Sequence, residues 1–314
     1  MKKAISRRTF NSALLSFLMA PYVEAASFGR KNRGGERPYF SMRLPSKYNA
    51  MDVAFQSFTI DDRRNTIYGQ FVTRNYPSQT IIAKYELIPY GEGLPLSMQP
   101  ATEVIGHQGL TLEHSGSEAW MWAAAPGRSR DVVRFKYSTS GSVDVKRYTL
   151  FGAPFIPFAV TVTVSYDNKW LIAVSRKRGP SGSMNTVRVF NLEAVLNHPS
   201  QNCSQLFEYE WSILTKPGLP VQGLACYKDV VAISYGTSKA AAIKPVVYFS
   251  INGRELGDIP DINPGKDNLP ARWSYEPEGL CYSHLEGGNE PLLYIGVTTG
   301  RAETGRTREI YALK

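Results

Sequence analysis

Pro220-Val221-Gln222-Gly223-Leu224-Ala225-Cys226 carries the architecture of this 314-residue chain. Alone it is a short apolar strand entered through a glutamine and a glycine. Its weight comes from recurrence. Gly106-His107-Gln108-Gly109-Leu110-Thr111-Leu112 repeats it, Ala54-Phe55-Gln56-Ser57-Phe58-Thr59-Ile60 repeats it with Ser for Gly, and Glu276-Pro277-Glu278-Gly279-Leu280-Cys281 keeps the form with Glu for Gln. Phe155-Ile156-Pro157-Phe158-Ala159-Val160 reads as a degenerate copy. Taking Gln56, Gln108, Pro157, Gln222 and Glu278 as equivalent gives intervals of 52, 49, 65 and 56 residues, the length of one four-stranded sheet per repeat.

The same order follows each anchor. A short strand leads to a polar turn, such as Asp61-Asp62-Arg63-Arg64-Asn65 or Tyr166-Asp167-Asn168-Lys169, and then to a second apolar strand. Those second strands are expected at 66–72, 119–124, 170–175, 230–234 and 292–297, with third strands such as 132–137 and 187–190 and a more polar fourth at the rim. Helical periodicity is nearly absent. The predicted fold is all-β, a five-bladed β-propeller with four-stranded blades. The last repeat ends after its third strand, and Tyr39-Phe40-Ser41-Met42-Arg43-Leu44 precedes the first repeat unassigned. An N-terminal strand that completes the last blade removes two open sheet edges and closes the ring.

Upstream, Lys2, Lys3, Arg7 and Arg8 precede an apolar run from Ala13 to Ala20 and small residues up to Ala25, which reads as a signal peptide over 1–25. Ser6-Arg7-Arg8-Thr9-Phe10 matches a twin-arginine signal, although Asn11 and Ser12 depart from its usual ending. The expected location is outside the cytoplasm, periplasmic or extracellular, reached through the twin-arginine translocase. Cleavage before Ala26 takes away four basic residues and one acidic residue and lowers the net charge from +9 to +6, so the mature chain stays basic. Residues 26–37 form a basic arm and 38–314 the propeller domain. No other apolar stretch is long enough to span a bilayer. Three cysteines, Cys203, Cys226 and Cys281, cannot form a disulfide framework, so stability is expected from the core.

In a propeller each first strand lines the central channel, and successive loops alternate between its two faces. Loops between second and third strands carry ten basic residues, among them Arg128, Arg176, Arg178, Arg301 and Arg306, against Asp131 and Glu303. Turns between first and second strands carry eight acids, Asp62 and Glu113 included, against four basic residues. A basic crown around one channel mouth focuses potential on an anionic ligand, and arginine suits phosphate or carboxylate. At that mouth Gln56, Gln108, Gln222 and Glu278 supply groups that donate to and accept from hydroxyls. The amides of Gln56 and Gln222 serve equally well to satisfy neighbouring backbone groups. Trp273 and Tyr275 offer flat surfaces for a sugar ring, whereas Trp120, Trp122 and Trp170 read as packing between blades.

His107, His114, His198 and His284 lack zinc-type spacing, and neither a Gly-x-Ser-x-Gly elbow nor a Gly-x-x-x-x-Gly-Lys phosphate loop occurs. Glu276 and Glu278 project to one side of an extended strand. They could serve glycoside hydrolysis, with Glu278, Glu276 and His107 as the catalytic candidates, or hold Ca2+ with nearby amide oxygens.

Gln56-Ser57-Phe58-Thr59-Ile60-Asp61, Gln108-Gly109-Leu110 followed by Trp120-Met121-Trp122, and Glu276-Pro277-Glu278-Gly279-Leu280 together resemble the five-bladed propeller shared by teichoic acid biosynthesis protein C and receptor-binding proteins of staphylococcal phages. The resemblance covers roughly residues 38–314. It implies recognition of a cell-envelope polymer, which in the phage members is wall teichoic acid, a phosphate-linked polyol. The Pro157 repeat and the twin-arginine signal depart from that family. The expected function is an exported propeller binding an anionic or polyhydroxylated envelope glycan, rather than nucleic acid, at its channel mouth. The alternative is a secreted glycan hydrolase or calcium-assisted esterase or phosphodiesterase on the same face.

Overall fold

The computed structural model describes residues 37–48, 53–73, 78–127, 129–157, 160–179, 182–213, 219–266, 269, 273–286, 288–301 and 305–313. The expected signal peptide and most of the basic arm lie outside these residues. The described residues form five sheets, antiparallel but for one added strand, whose first strands run Val53–Asp61, Thr111–Ser115, Thr161–Val164, Val221–Tyr227 and Ser274–Ser283. The second strands, Thr66–Thr73, Glu118–Ala124, Trp170–Gly179, Val230–Tyr235 and Leu292–Arg301, fall where the apolar runs predict them, four reaching further into the following turn.

Alternation of side chains explains why five sheets make a ring. In the third blade Leu171 and Ala173 pack toward the second blade, while Trp170, Ile172 and Val174 pack toward the fourth. Every blade is thus apolar on both faces and must be sandwiched. Five separate apolar clusters result, one between each pair of neighbours, centred on Phe55 and Phe71, Met121 and Phe135, Phe151 and Val162, Ile172 and Ile233, and Tyr275 and Ile295. Trp120, Trp122 and Trp170 are buried in the blades as expected. Cys203, Cys226 and Cys281 are all free thiols.

Closure follows the expected scheme and adds to it. Phe40–Met42 pairs antiparallel with Gly305–Leu313, completing the fifth blade. Gly91–Gly93, from the connection leaving the third strand of blade 1, then pairs in parallel on the outer side of Phe40–Met42. The N-terminal strand is therefore held between two partners, and blade 1 itself covers the edge that closure would leave open.

The third repeat requires a correction. A Cβ on Gly223 would meet Leu280 N at 2.8 Å, one on Gly279 would meet Phe58 N at 3.4 Å, and one on Gly109 would meet Val162 N at 2.6 Å. The same close approach recurs between neighbouring first strands, which makes Phe58, Leu110, Val162, Leu224 and Leu280 equivalent. The residue equivalent to Gln108 is then Val160, fully buried, and Pro157 is an exposed residue ahead of the strand. Val160 lies 52 residues after Gln108, the same interval as from Gln56 to Gln108.

Candidate functional site

The anchor positions owe their direction to bulges. Strand pairing skips a residue between Phe55 and Ser57 and between Val221 and Gly223, and shifts between Pro277 and Leu280, so Gln56, Gln222 and Glu278 each occupy an extra position in the first strand. A bulge re-aims a side chain that regular alternation would bury between blades. All three line one axial cavity of about 420 Å³, together with Gln108 and Glu276. Blade 3 contributes Thr161 and, from its second and third strands, Ser175, Arg176 and Asn185.

The glutamines divide their bonding between scaffold and cavity. Gln56 Nε2 donates to Phe55 O at 2.9 Å, and Gln222 Nε2 donates to Gly236 O at 3.2 Å and to Glu276 Oε1 at 3.3 Å. Gln108 Oε1 accepts from Thr161 Oγ1 at 3.2 Å. Burial pushes the carboxyls of Glu276 and Glu278 above the usual carboxylate range, and the charge of Glu276 adds to the rise at Glu278, while Arg306 opposes it at both. Several polar atoms at this cavity have no hydrogen-bond partner among the described residues: Ser175 Oγ, Asn185 Nδ2 and Arg306 Nε. A buried polar atom left unpaired costs about 1–3 kcal/mol, so such a group marks a place where a polar ligand gains.

The structure sorts the other expected site residues. Arg176 and Arg306 line the cavity. Arg128 and the side chains of Arg178 and Arg301 lie outside the described residues. Tyr275 is fully buried in the cluster between blades 4 and 5, its hydroxyl donating to Pro264 O at 3.0 Å, so it offers no sugar platform. Alternation is the reason: Glu276 faces the cavity, and its neighbour must face away. Trp273 is half-buried just ahead of the strand and does not line the cavity. His107 is also absent from the lining, and its Nε2 stands 3.2 Å from Ser78 Oγ.

Part of the charge sorted by loop has structural work. Arg130 Nε donates to Phe155 O at 2.6 Å and the buried Arg308 reaches Val53 O at 3.4 Å, each tying a blade to the next. Glu113 is not a surface acid of the opposite face; it is buried, accepting from Arg134 Nη2 at 2.6 Å and from Trp122 Nε1 at 2.7 Å. A second cavity of about 110 Å³ opens at the other ends of the same first strands. Beside it Asp62 of blade 1 accepts from Tyr166 Oη of blade 3 at 2.6 Å and from Ser283 Oγ and His284 N of blade 5.

Ser175 and Asn185 escaped sequence reasoning. Asn185 pairs directly across from Arg176, so counting outward from the Gly-Pro-Ser-Gly sequence at 179–182 would have found it.

Five blades around a polar axial cavity define a five-bladed β-propeller with a ligand-sized mouth. The chain belongs to the family of phage five-bladed β-propeller receptor-binding platform domains, whose family model matches residues 54–312. Among solved structures, the tail fibre of Staphylococcus aureus phage P68 superposes with a TM-score of 0.64 at 21% identity, covering 88% of this chain and 52% of the fibre. The chain thus spans about half the length of that protein. A xylan β-1,4-xylosidase from Bacillus halodurans C-125 gives a TM-score of 0.46 at 12% identity, covering 87% of this chain and 55% of the enzyme. A neuraminidase-like protein from A/bat/Guatemala/164/2009 gives 0.43 at 8%, covering 89% and 93%. Comparison with curated proteins yields no sequence match.

Proposed function

We propose that this chain binds a polyhydroxylated or anionic cell-surface glycan polymer in its axial cavity. The supporting observation is the chemistry of the walls, where the unpartnered Ser175 Oγ, Asn185 Nδ2 and Arg306 Nε stand with Glu278 around a volume of about 420 Å³. Hydroxyl and phosphate oxygens are the groups such donors take. Membership in a receptor-binding platform family points the same way. Arg176 and Arg306 supply the attraction for anionic polymers in this reading, with Arg128, Arg178 and Arg301 expected from the sequence to add to it, and the twin-arginine signal delivers the mature chain to the envelope.

Binding is favoured over hydrolysis on geometry. Glycoside hydrolysis needs carboxylates flanking the scissile bond, whereas Glu276 and Glu278 enter the cavity from a single strand, and His107 stands outside its lining. The test is retention of the chain on immobilised teichoic acid and on an uncharged polysaccharide at several salt concentrations. Arg176→Glu is expected to weaken retention on the anionic polymer and flatten its salt dependence, and Asn185→Ala to weaken retention on both. Retention of both variants at the wild-type level would remove the cavity from the function.

A further inference from the structure

Glu278 is 6% exposed, and its carboxylate makes no hydrogen bond or ion pair among the described residues. Taking such a group out of water costs several kcal/mol unless something compensates. Its neighbour Glu276 faces the same cavity and accepts one long bond, 3.3 Å from Gln222 Nε2. Arg306 acts on both carboxylates through space but pairs with neither, and its own Nε lacks a partner. The molecule therefore gathers two carboxyl groups at one place and brings no cation into contact with them.

The surrounding oxygens share one arc. Blades 4, 5 and 1 are consecutive around the ring, and each uses an irregularity at the equivalent point of its first strand, presenting Gln222, Glu278 and Gln56 side by side. The amide nitrogens of Gln56 and Gln222 are bound to backbone carbonyls, which leaves their side-chain oxygens as the groups without a bond. No His or Cys lines this cavity. Among the described residues no three His, Cys, Asp or Glu side chains converge, so a metal here depends on the amides. An all-oxygen donor set is the preference of a hard cation, and a flexible arc that leaves positions for water or ligand hydroxyls suits calcium better than magnesium.

We propose that Glu276 and Glu278, with the amide oxygens of Gln56 and Gln222, form a calcium site at one side of the axial cavity. The site stands independently of the glycan reading, since its donors all belong to the chain. A bound ion offsets the repulsion of the two carboxylates and leaves coordination positions facing the cavity.

The test is calorimetric titration of the full chain, stripped with chelator, with calcium and separately with magnesium at neutral pH, followed by thermal unfolding with and without calcium. One calcium per chain is expected, with a dissociation constant of about 10⁻⁵ to 10⁻³ M, weaker binding of magnesium, and a calcium-dependent rise in Tm. Glu278→Gln and Glu276→Gln should each weaken binding by about tenfold or more, and Gln56→Ala by less. Circular dichroism of each variant checks that the fold survives. No heat and no Tm shift at about 10 mM calcium, or equal calcium binding by the double glutamine variant, would overturn the site. Glycan retention measured in chelator separates the two proposals: retention there alongside absent calcium binding sinks only the metal site. Calcium binding without retention on any glycan sinks only the glycan reading.

Discussion

Gly223 of the fourth blade lies so close to Leu280 of the fifth that a methyl group on its Cα would stand 2.8 Å from the Leu280 nitrogen. Two of the three nearest atoms, Gly279 C and Leu280 N, are backbone and cannot swing aside. Gly223→Ala is therefore expected to cost about 1–3 kcal/mol by forcing two blades apart at the axis. Urea unfolding measures it, and an unchanged midpoint would show that the blades tolerate wider spacing.

The buried carboxyl of Glu278 carries a definite sign for pH. Its folded-state pKa is raised, so the folded form holds the proton more tightly than the unfolded chain does, and ∂ΔG/∂pH is negative between the two values. The associated stability is fully present below the ordinary carboxylate pKa of about 4.3 and is lost as pH rises through the folded value. In chelator, Glu278→Gln should thus gain Tm over wild type as pH increases from about 4.5 to 8. Calcium should narrow that gap. A pH-independent difference between the two proteins would contradict the assignment.

Glu113 and Arg134 form a bidentate pair, 2.8 and 2.6 Å, inside blade 2, and Arg134 also lies over the Trp120 ring at 3.6 Å. Arg134→Met leaves Glu113 buried beside Trp122 alone, with an expected cost of about 3–5 kcal/mol. Adding Glu113→Gln should recover part of that loss. Failure of the double variant to recover would mean that packing, not uncompensated charge, sets the cost.

Phe40 is fully buried in the closing strand, between Gly305–Leu313 and Gly91–Gly93, and stacks edge-on against Tyr85 at 5.9 Å. Phe40→Ala is expected to cost about 3–5 kcal/mol and to expose the Gly305–Leu313 strand to protease before other regions. Limited proteolysis with mass analysis locates the first cuts. Cuts beginning elsewhere would place the weak point of the ring away from its closure.

The Gln-Gly-Leu signature was legible because two physical demands coincide at it. The glycine admits a neighbouring blade at the axis, and the bulge before it turns a polar side chain into the channel. Blade 3 meets neither demand in the same way. Val160 and Thr161 stand where the others have Gln or Glu followed by Gly or Ser, so the pattern was read three residues early, at Pro157. The strands themselves were readable throughout, since apolar runs between polar turns mark any half-buried sheet. Tyr275 was misread because its composition suggested a platform while its parity, one residue from Glu276, sends it between blades.

Five repeats, their strand boundaries and the pairing of the two chain ends follow from local pattern, because alternation and turn chemistry act within a few residues. Which charges remain for a ligand does not. Arg130, Arg308 and Glu113 look in sequence like Arg306 and Glu278, yet the first three are consumed by bonds to the scaffold while Arg306 and Glu278 line the cavity. That division depends on which partner each side chain meets across the ring. Only the packing of one blade on another settles it, since desolvation and pairing energies arise between residues 21 to 255 positions apart.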